Sequence, residues 1–222
     1  MEESKSLFIV FEGLDGSGKS TQIDLLQARL EAHGMPCLVT AEPTELPTGR
    51  IIRDVIEHRL EAHPQAVAAM FAADRIQHLH EPETGILAEL SKGNSVISSR
   101  YYFSSLAYQA DCADIDWIAS LNQRAKDLRP ADITFFLDLD PEVSLARITT
   151  TREQVDLFEN LEKLTVVRAA FKRAFKYWGD KREHIHVIDA SKEVGEIAEE
   201  IWAIVKEVTS SQEHTRRYKE KE

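Results

Sequence analysis

The residues best suited to chemistry stand near the start of the chain. Gly13-Leu14-Asp15-Gly16-Ser17-Gly18-Lys19-Ser20, followed by Thr21, has the spacing G-x-x-x-x-G-K-[ST]. Each residue type has a reason to be there. Glycines let the backbone turn tightly and bring N–H groups onto phosphate oxygens. A helix starting near Gly18 aims its free N–H groups and the positive end of its dipole at the same anion. Lys19 supplies a full charge to the β- and γ-phosphates, and the Ser20 hydroxyl is a ligand for Mg²⁺. A glycine-rich turn without a ligand needs neither Lys19 nor the Ser20-Thr21 pair, so the stretch reads as a nucleoside-triphosphate site.

The flanking elements suit that reading. Phe8-Ile9-Val10-Phe11 is an apolar run of strand length, and Ile23, Leu26 and Leu30 recur at helical spacing after the loop. Further on, Cys37–Thr40, Ser95–Ser98, Ile133–Leu139 and His186–Asp189 read as strands. Helical patterns separate them, at Thr48–Leu60, Gln65–His80, up to Leu90, up to Leu128, Pro141–Arg147, up to Trp178 and Glu193–Val208. Alternation of this kind predicts an α/β protein: a three-layer, doubly wound parallel sheet of about five strands. Ligands of such sheets sit at the carboxyl ends of the strands, where Glu12, Glu42, Arg100 and Asp138 fall. The division expected is one domain over residues 1–210, with a small lid at about 147–156, and a charged, frayed tail over 211–222.

The formal net charge of −11 argues against a general nucleic-acid or acidic-membrane binder, whose footprint is basic. An anionic substrate must then be drawn by a local cluster of cations. The two cysteines, Cys37 and Cys112, lack metal spacing and read as reduced thiols. MEESKS leads directly into the first strand, and no apolar run of about 18 residues follows, so a soluble, cytoplasmic protein is expected.

Three features narrow the chemistry. Neither an Asn-Lys-x-Asp guanine-reading segment nor an LSGGQ-like segment is present, which counts against GTPase switches and transport ATPases. Arg100 ends the third strand facing the loop, and Arg147 and Arg152 bracket a polar segment after the fourth. Phosphoryl transfer depends on positioning, charge neutralisation and exclusion of water, which cations on a closing lid supply.

Several segments taken in order resemble the thymidylate kinase family. They are FEGLDGSGKSTQ, Glu42-Pro43, Phe71-Ala72-Ala73-Asp74-Arg75, Ser99-Arg100-Tyr101 through Gln109, and Pro130-Ala131-Asp132 through Leu139. The resemblance spans about Leu7 to Ala190. It implies a P-loop nucleotide-kinase fold and ATP-dependent phosphorylation of dTMP to dTDP with Mg²⁺, by a homodimer. It also implies roles. Phe71 stacks on thymine, and Arg75 donates to a thymine carbonyl. Arg100 grips the acceptor phosphate. Ser104 and Gln109 line the base pocket, and Tyr108 crowds the sugar 2′ position. Asp15 and Glu42 stand near the acceptor sugar and phosphate, Arg147 near the ATP base, and Arg152 acts as the lid arginine.

This chain departs from the family pattern in three places. Ser99 precedes Arg100 where the family usually has Asp. Ala41-Glu42-Pro43-Thr44-Glu45 replaces Arg-Glu-Pro-Gly-Gly, and Asp156-Leu157-Phe158-Glu159 replaces the lid's Asp-Arg-x-Glu. These changes bear on rate and metal arrangement. Plainer readings stand beside the assignments. Phe71 fits a core stripe with Val67 and Met70, Arg75 a surface pair with a neighbouring acid, and Arg152 a solvated surface. The histidines, His78 among them, read as surface or capping residues. Two rival functions remain: a deoxynucleoside kinase with Glu42 as base, and a silent nucleotide-binding regulator.

Overall fold

Strand-length apolar runs separated by amphipathic ones can bury both faces of a sheet only if helices cross over it, which makes neighbouring strands parallel. The computed structural model, which describes residues 6–151, 161–179 and 183–219, shows this arrangement. Five strands, β1 (Phe8–Gly13), β2 (Cys37–Ala41), β3 (Ser95–Ser99), β4 (Ile133–Asp138) and β5 (His184–Asp189), form one sheet of order β2-β3-β1-β4-β5. All pairings are parallel. The helices are α1 (Lys19–Ala32), α2 (Pro47–Ile56), α3 (Pro64–His80), α4 (Ile86–Ser91), α5 (Tyr102–Tyr108), α6 (Ile115–Leu128), α7 (Pro141–Thr151), α8 (Leu161–Trp178) and α9 (Val194–Lys219).

Strand position follows composition. Central β1 is buried at every residue, whereas the edge strands β2 and β5 are partly exposed along most of their length. Because side chains alternate across a strand, β1 feeds two cores. Phe8 and Val10 join Phe136, Phe103 and Phe171 on one face; Ile9 and Phe11 join Ile23, Leu26, Phe135 and Trp202 on the other. Phe136 and Phe171 pack with ring centroids 5.1 Å apart, which fixes α8 against the sheet.

Element boundaries differ from expectation in instructive ways. The single helical region expected before Leu128 is two helices, because Asp114 caps α6 by accepting from Asp116 N at 2.9 Å. Arg147 does not end its helix. α7 continues to Thr151, so the first part of the expected polar lid is helical. α2 stops at Ile56, short of Leu60, and His58 beyond it has φ 57°. α9 runs to Lys219 rather than Val208, through residues such as Glu213, Arg216 and Arg217 that are good helix formers. Among the described residues, no helix is long and apolar enough to cross a membrane.

Candidate active site

The loop between β1 and α1 lies beside the central strands, next to the end of β4. Gly13 has φ 144°, and a Cβ there would stand 2.8 Å from Leu137 O. Gly16 has φ 74°, and its Cβ would meet Ser144 O at 2.9 Å. These positions need glycine for conformation and for space. Gly18, also at positive φ, is the N-cap of α1. Ser144 donates from its hydroxyl to Asp15 O at 2.5 Å, tying the loop to α7. Leu14 is buried in the core below the loop, and Ser17 Oγ is buried without a hydrogen-bond partner among the described residues. Ser20 and Thr21 are exposed on the first turn of α1.

Lys19 folds back over its own loop. Its Nζ donates to Gly13 O at 3.1 Å and Leu14 O at 2.7 Å, and lies 3.8 Å from Asp15. Burial, with Arg100 nearby, pushes its pKa down from 10.5 to about 7. Arg100 approaches from the end of β3. It donates to Asp15 Oδ1 at 2.5 Å, Gly13 O at 3.3 Å, Ser104 Oγ at 3.2 Å and the Tyr108 hydroxyl at 3.1 Å. Its guanidinium also lies 4.6 Å from the centre of the Tyr108 ring. Burial works against its charge, but Tyr108, Asp15 and Glu12 outweigh burial and hold its pKa raised. Burial likewise keeps the Tyr108 phenol protonated, with its pKa pushed up to about 12. Arg147, exposed on α7, donates to Gly16 O at 3.4 Å on the outer side of the loop.

A second cluster lies across α3. Arg75 is only 1% exposed. Its Nε and Nη2 both reach Glu42 Oε2, at 2.8 and 2.6 Å, and its Nη1 donates to Ser105 and Asn122. Its guanidinium lies 5.3 Å from the centre of the Tyr101 ring. The plainer reading of Arg75 as half of a surface pair is therefore corrected: the pair is with Glu42, and it is buried. Asp74 instead accepts from Thr44 N at 2.8 Å, Thr44 Oγ at 2.6 Å and Thr48 Oγ at 2.7 Å, fastening the loop after β2. Glu42 Oε1 meets His78 Nδ1 at 3.1 Å, and His78 Nε2 meets the Thr40 hydroxyl at 2.8 Å. His78 is thus a buried partner of Glu42, not a surface residue. Its signal was its place three residues after Arg75, on the same helix face. His63, by contrast, does cap α3, accepting from Gln65 N.

Phe71 is half-buried one turn before Arg75, outside both apolar cores of the described residues. Gln109 is 9% exposed, and its Oε1 has no hydrogen-bond partner among the described residues. The structure thus brings Lys19, Asp15, Arg100, Ser104 and Tyr108 together, with Glu42 and Arg75 in a linked second group. Arg152 lies outside the described residues. Reading the chain alone placed Glu12 at the carboxyl end of its strand but gave it no role; it lies fully buried next to the last residue of β1 and carries a pKa raised by burial to about 7.

No cluster of three or more metal-ligating side chains exists among the described residues. The nearby carboxylates are engaged: Asp15 with Arg100, and Asp138 with Arg168 and Lys172. A hard cation such as Mg²⁺, which keeps several waters and is held mainly through substrate phosphates, needs few protein ligands, and the exposed Ser20 hydroxyl is a donor of the right type beside the loop.

A parallel sheet of order 2-3-1-4-5, a phosphate-binding loop leaving its central strand and a second cation meeting that loop define a P-loop phosphotransferase of the nucleotide-kinase type. A thymidylate kinase family profile matches residues 11–201. A thymidylate kinase of Bifidobacterium longum subsp. infantis is 35% identical over 90% of this chain and 84% of its own length. Probable thymidylate kinases of Thermococcus kodakarensis and Pyrococcus abyssi are 34% and 36% identical, over 90% and 91% of this chain and 97% of their own lengths. The chain belongs to the thymidylate kinase family.

Proposed function

We propose that this protein transfers the γ-phosphoryl group of ATP to the phosphate of dTMP, forming dTDP and ADP. The observation that carries the reading is the convergence of Lys19 and Arg100 on Gly13 O and Asp15. One cation belongs to the triphosphate loop, and the other enters from the strand beyond it. An acceptor phosphate held by Arg100 faces a donor phosphate held by Lys19. An acceptor oxygen attacks the γ-phosphorus as its bond to the β–γ bridging oxygen breaks, and ADP leaves with that oxygen. Lys19 and Arg100 offset charge spread over the transferring group. The acceptor is already anionic, so no side chain has to remove a proton. The Ser20 hydroxyl would help hold Mg²⁺, which would supply further neutralisation of the phosphate charge.

Glu42 bears on the deoxynucleoside-kinase alternative. A base for a 5′-hydroxyl needs a free carboxylate oxygen, whereas both Glu42 oxygens are engaged, by Arg75 and His78. In our reading Glu42 instead fixes Arg75, whose one uncommitted N–H, on Nη2, donates to a thymine carbonyl, while Phe71 stacks on the ring. Ser104 and Gln109 line the base pocket, and Tyr108 disfavours a ribose. Gly13–Thr21 and Arg147 hold ATP, with Arg152 on a lid over about 147–156 of a single kinase domain spanning residues 1–210. We extend the reading to a cytoplasmic homodimer. A coupled ADP-release assay with dTMP, thymidine, dUMP and UMP tests the core of it. Turnover with dTMP alone or foremost is expected; preference for thymidine, or no turnover, would overturn it.

A further inference from the structure

Arg100 has φ 73°, a left-handed backbone conformation uncommon for a residue with a side chain. Such a conformation persists only where the surroundings hold it. Three contacts do so. Arg100 N donates to Phe11 O at 2.8 Å, and Arg100 O accepts from the Ser98 hydroxyl at 2.8 Å. The third comes from Glu12, whose Oε1 accepts from the next amide, Tyr101 N, at 3.0 Å.

Glu12 also reaches the guanidinium. Its Oε1 accepts from Ser104 N at 3.2 Å and its Oε2 from the Ser104 hydroxyl at 2.5 Å. The same hydroxyl accepts from Arg100 Nη1 at 3.2 Å. The polarity of this chain is set by Glu12. Once ionised, above its raised pKa of about 7, the carboxylate only accepts, so the Ser104 hydrogen points at Glu12 and its lone pairs point at Arg100. One buried carboxylate therefore holds both the backbone turn and the side-chain end of Arg100. Burying it is unfavourable, as its raised pKa shows, and helix α5 could be capped by a neutral group instead.

We propose that Glu12 is a positioning residue, which holds the turn at Arg100 and, through Ser104, aims the guanidinium at the acceptor phosphate. The proposal rests on the reading that Arg100 binds that phosphate. Glu12→Gln is the informative change. The glutamine carbonyl still accepts from both amides, but its NH₂ donates to Ser104 and competes with Arg100 for the hydroxyl oxygen. Ser104→Ala is the second variant. It breaks the bridge and leaves Glu12 on the Tyr101 amide.

Calorimetric binding of dTMP and of thymidine to wild type, Glu12→Gln, Ser104→Ala, Arg100→Ala and Glu12→Gln/Arg100→Ala tests the role. We expect Glu12→Gln to weaken dTMP binding about tenfold and thymidine binding less than about twofold, because thymidine has no phosphate. Ser104→Ala, which also alters the base pocket, should lose more for dTMP than for thymidine, and the effect of Glu12→Gln should vanish once Arg100 is alanine. Equal loss for both ligands, or full additivity with Arg100→Ala, would return Glu12 to a purely structural role. Absence of dTMP binding by wild type would instead overturn the acceptor reading, and the positioning role with it.

Discussion

Binding of ATP should draw a proton from solution at pH 8, and Lys19 should be its destination. In the free protein burial, with Arg100 close by, lowers the Lys19 pKa to about 7. At pH 8 roughly one tenth of Lys19 is then charged. A triphosphate against the ammonium restores the charged form, so its pKa returns toward the ordinary lysine range of about 10.4. The expected uptake is therefore about 0.9 proton per ATP at pH 8 and about 0.1 at pH 6, where Lys19 is already charged. The same shift bears on stability. Between the folded pKa of about 7 and the ordinary lysine value, the unfolded chain binds more protons, so stability rises with pH across that window. The assay is titration calorimetry with MgATP in buffers of differing ionisation enthalpy, at both pH values, for wild type and Lys19→Met. The dependence of apparent heat on buffer enthalpy counts the protons. Uptake at pH 8 that is lost at pH 6 and in Lys19→Met is the expected pattern. Zero uptake, release, or equal uptake by the methionine variant would refute the assignment of the titrating group.

Ser99→Asp should lower the Mg²⁺ midpoint of the initial rate at saturating ATP and dTMP, since a carboxylate at the end of β3 helps hold the hydrated ion. An unchanged or higher midpoint would mean that Ser99 does not mark a depleted metal site. Arg152→Ala should lower kcat much more than it weakens dTMP binding, since a lid arginine stabilises charge that develops in transfer and is worth on the order of 10³-fold or more. A loss under about threefold in single-turnover kinetics would make Arg152 a surface residue. Asp74→Ala should cost about 3 kcal/mol in urea unfolding, because it leaves the buried Thr44 amide and two hydroxyls without their acceptor. It should also raise KM for dTMP by loosening the loop that carries Glu42. A cost below about 1 kcal/mol would show that water replaces the carboxylate.

Local pattern settled much of this protein. The phosphate loop is legible because its function needs fixed residue types at fixed spacing over Gly13–Thr21. The parallel sheet is legible because strand and helix periods alternate along the chain. The path of α7 beyond Arg147 and the break between α5 and α6 were less so, since caps and tertiary packing decide where helices end. The electrostatics of the site were hidden further. Glu12 follows an apolar run and reads as a polar rim residue, yet the fold buries it completely and gives it Tyr101 and Ser104, 89 and 92 positions away. His78 reads as one scattered histidine until the return of β2 beside β3 brings Glu42, 36 positions earlier, against α3. A motif records what a residue can bind. Which groups bury it, and so which charge it carries and where it points, depends on segments far apart in the chain that meet only when the sheet closes around β1.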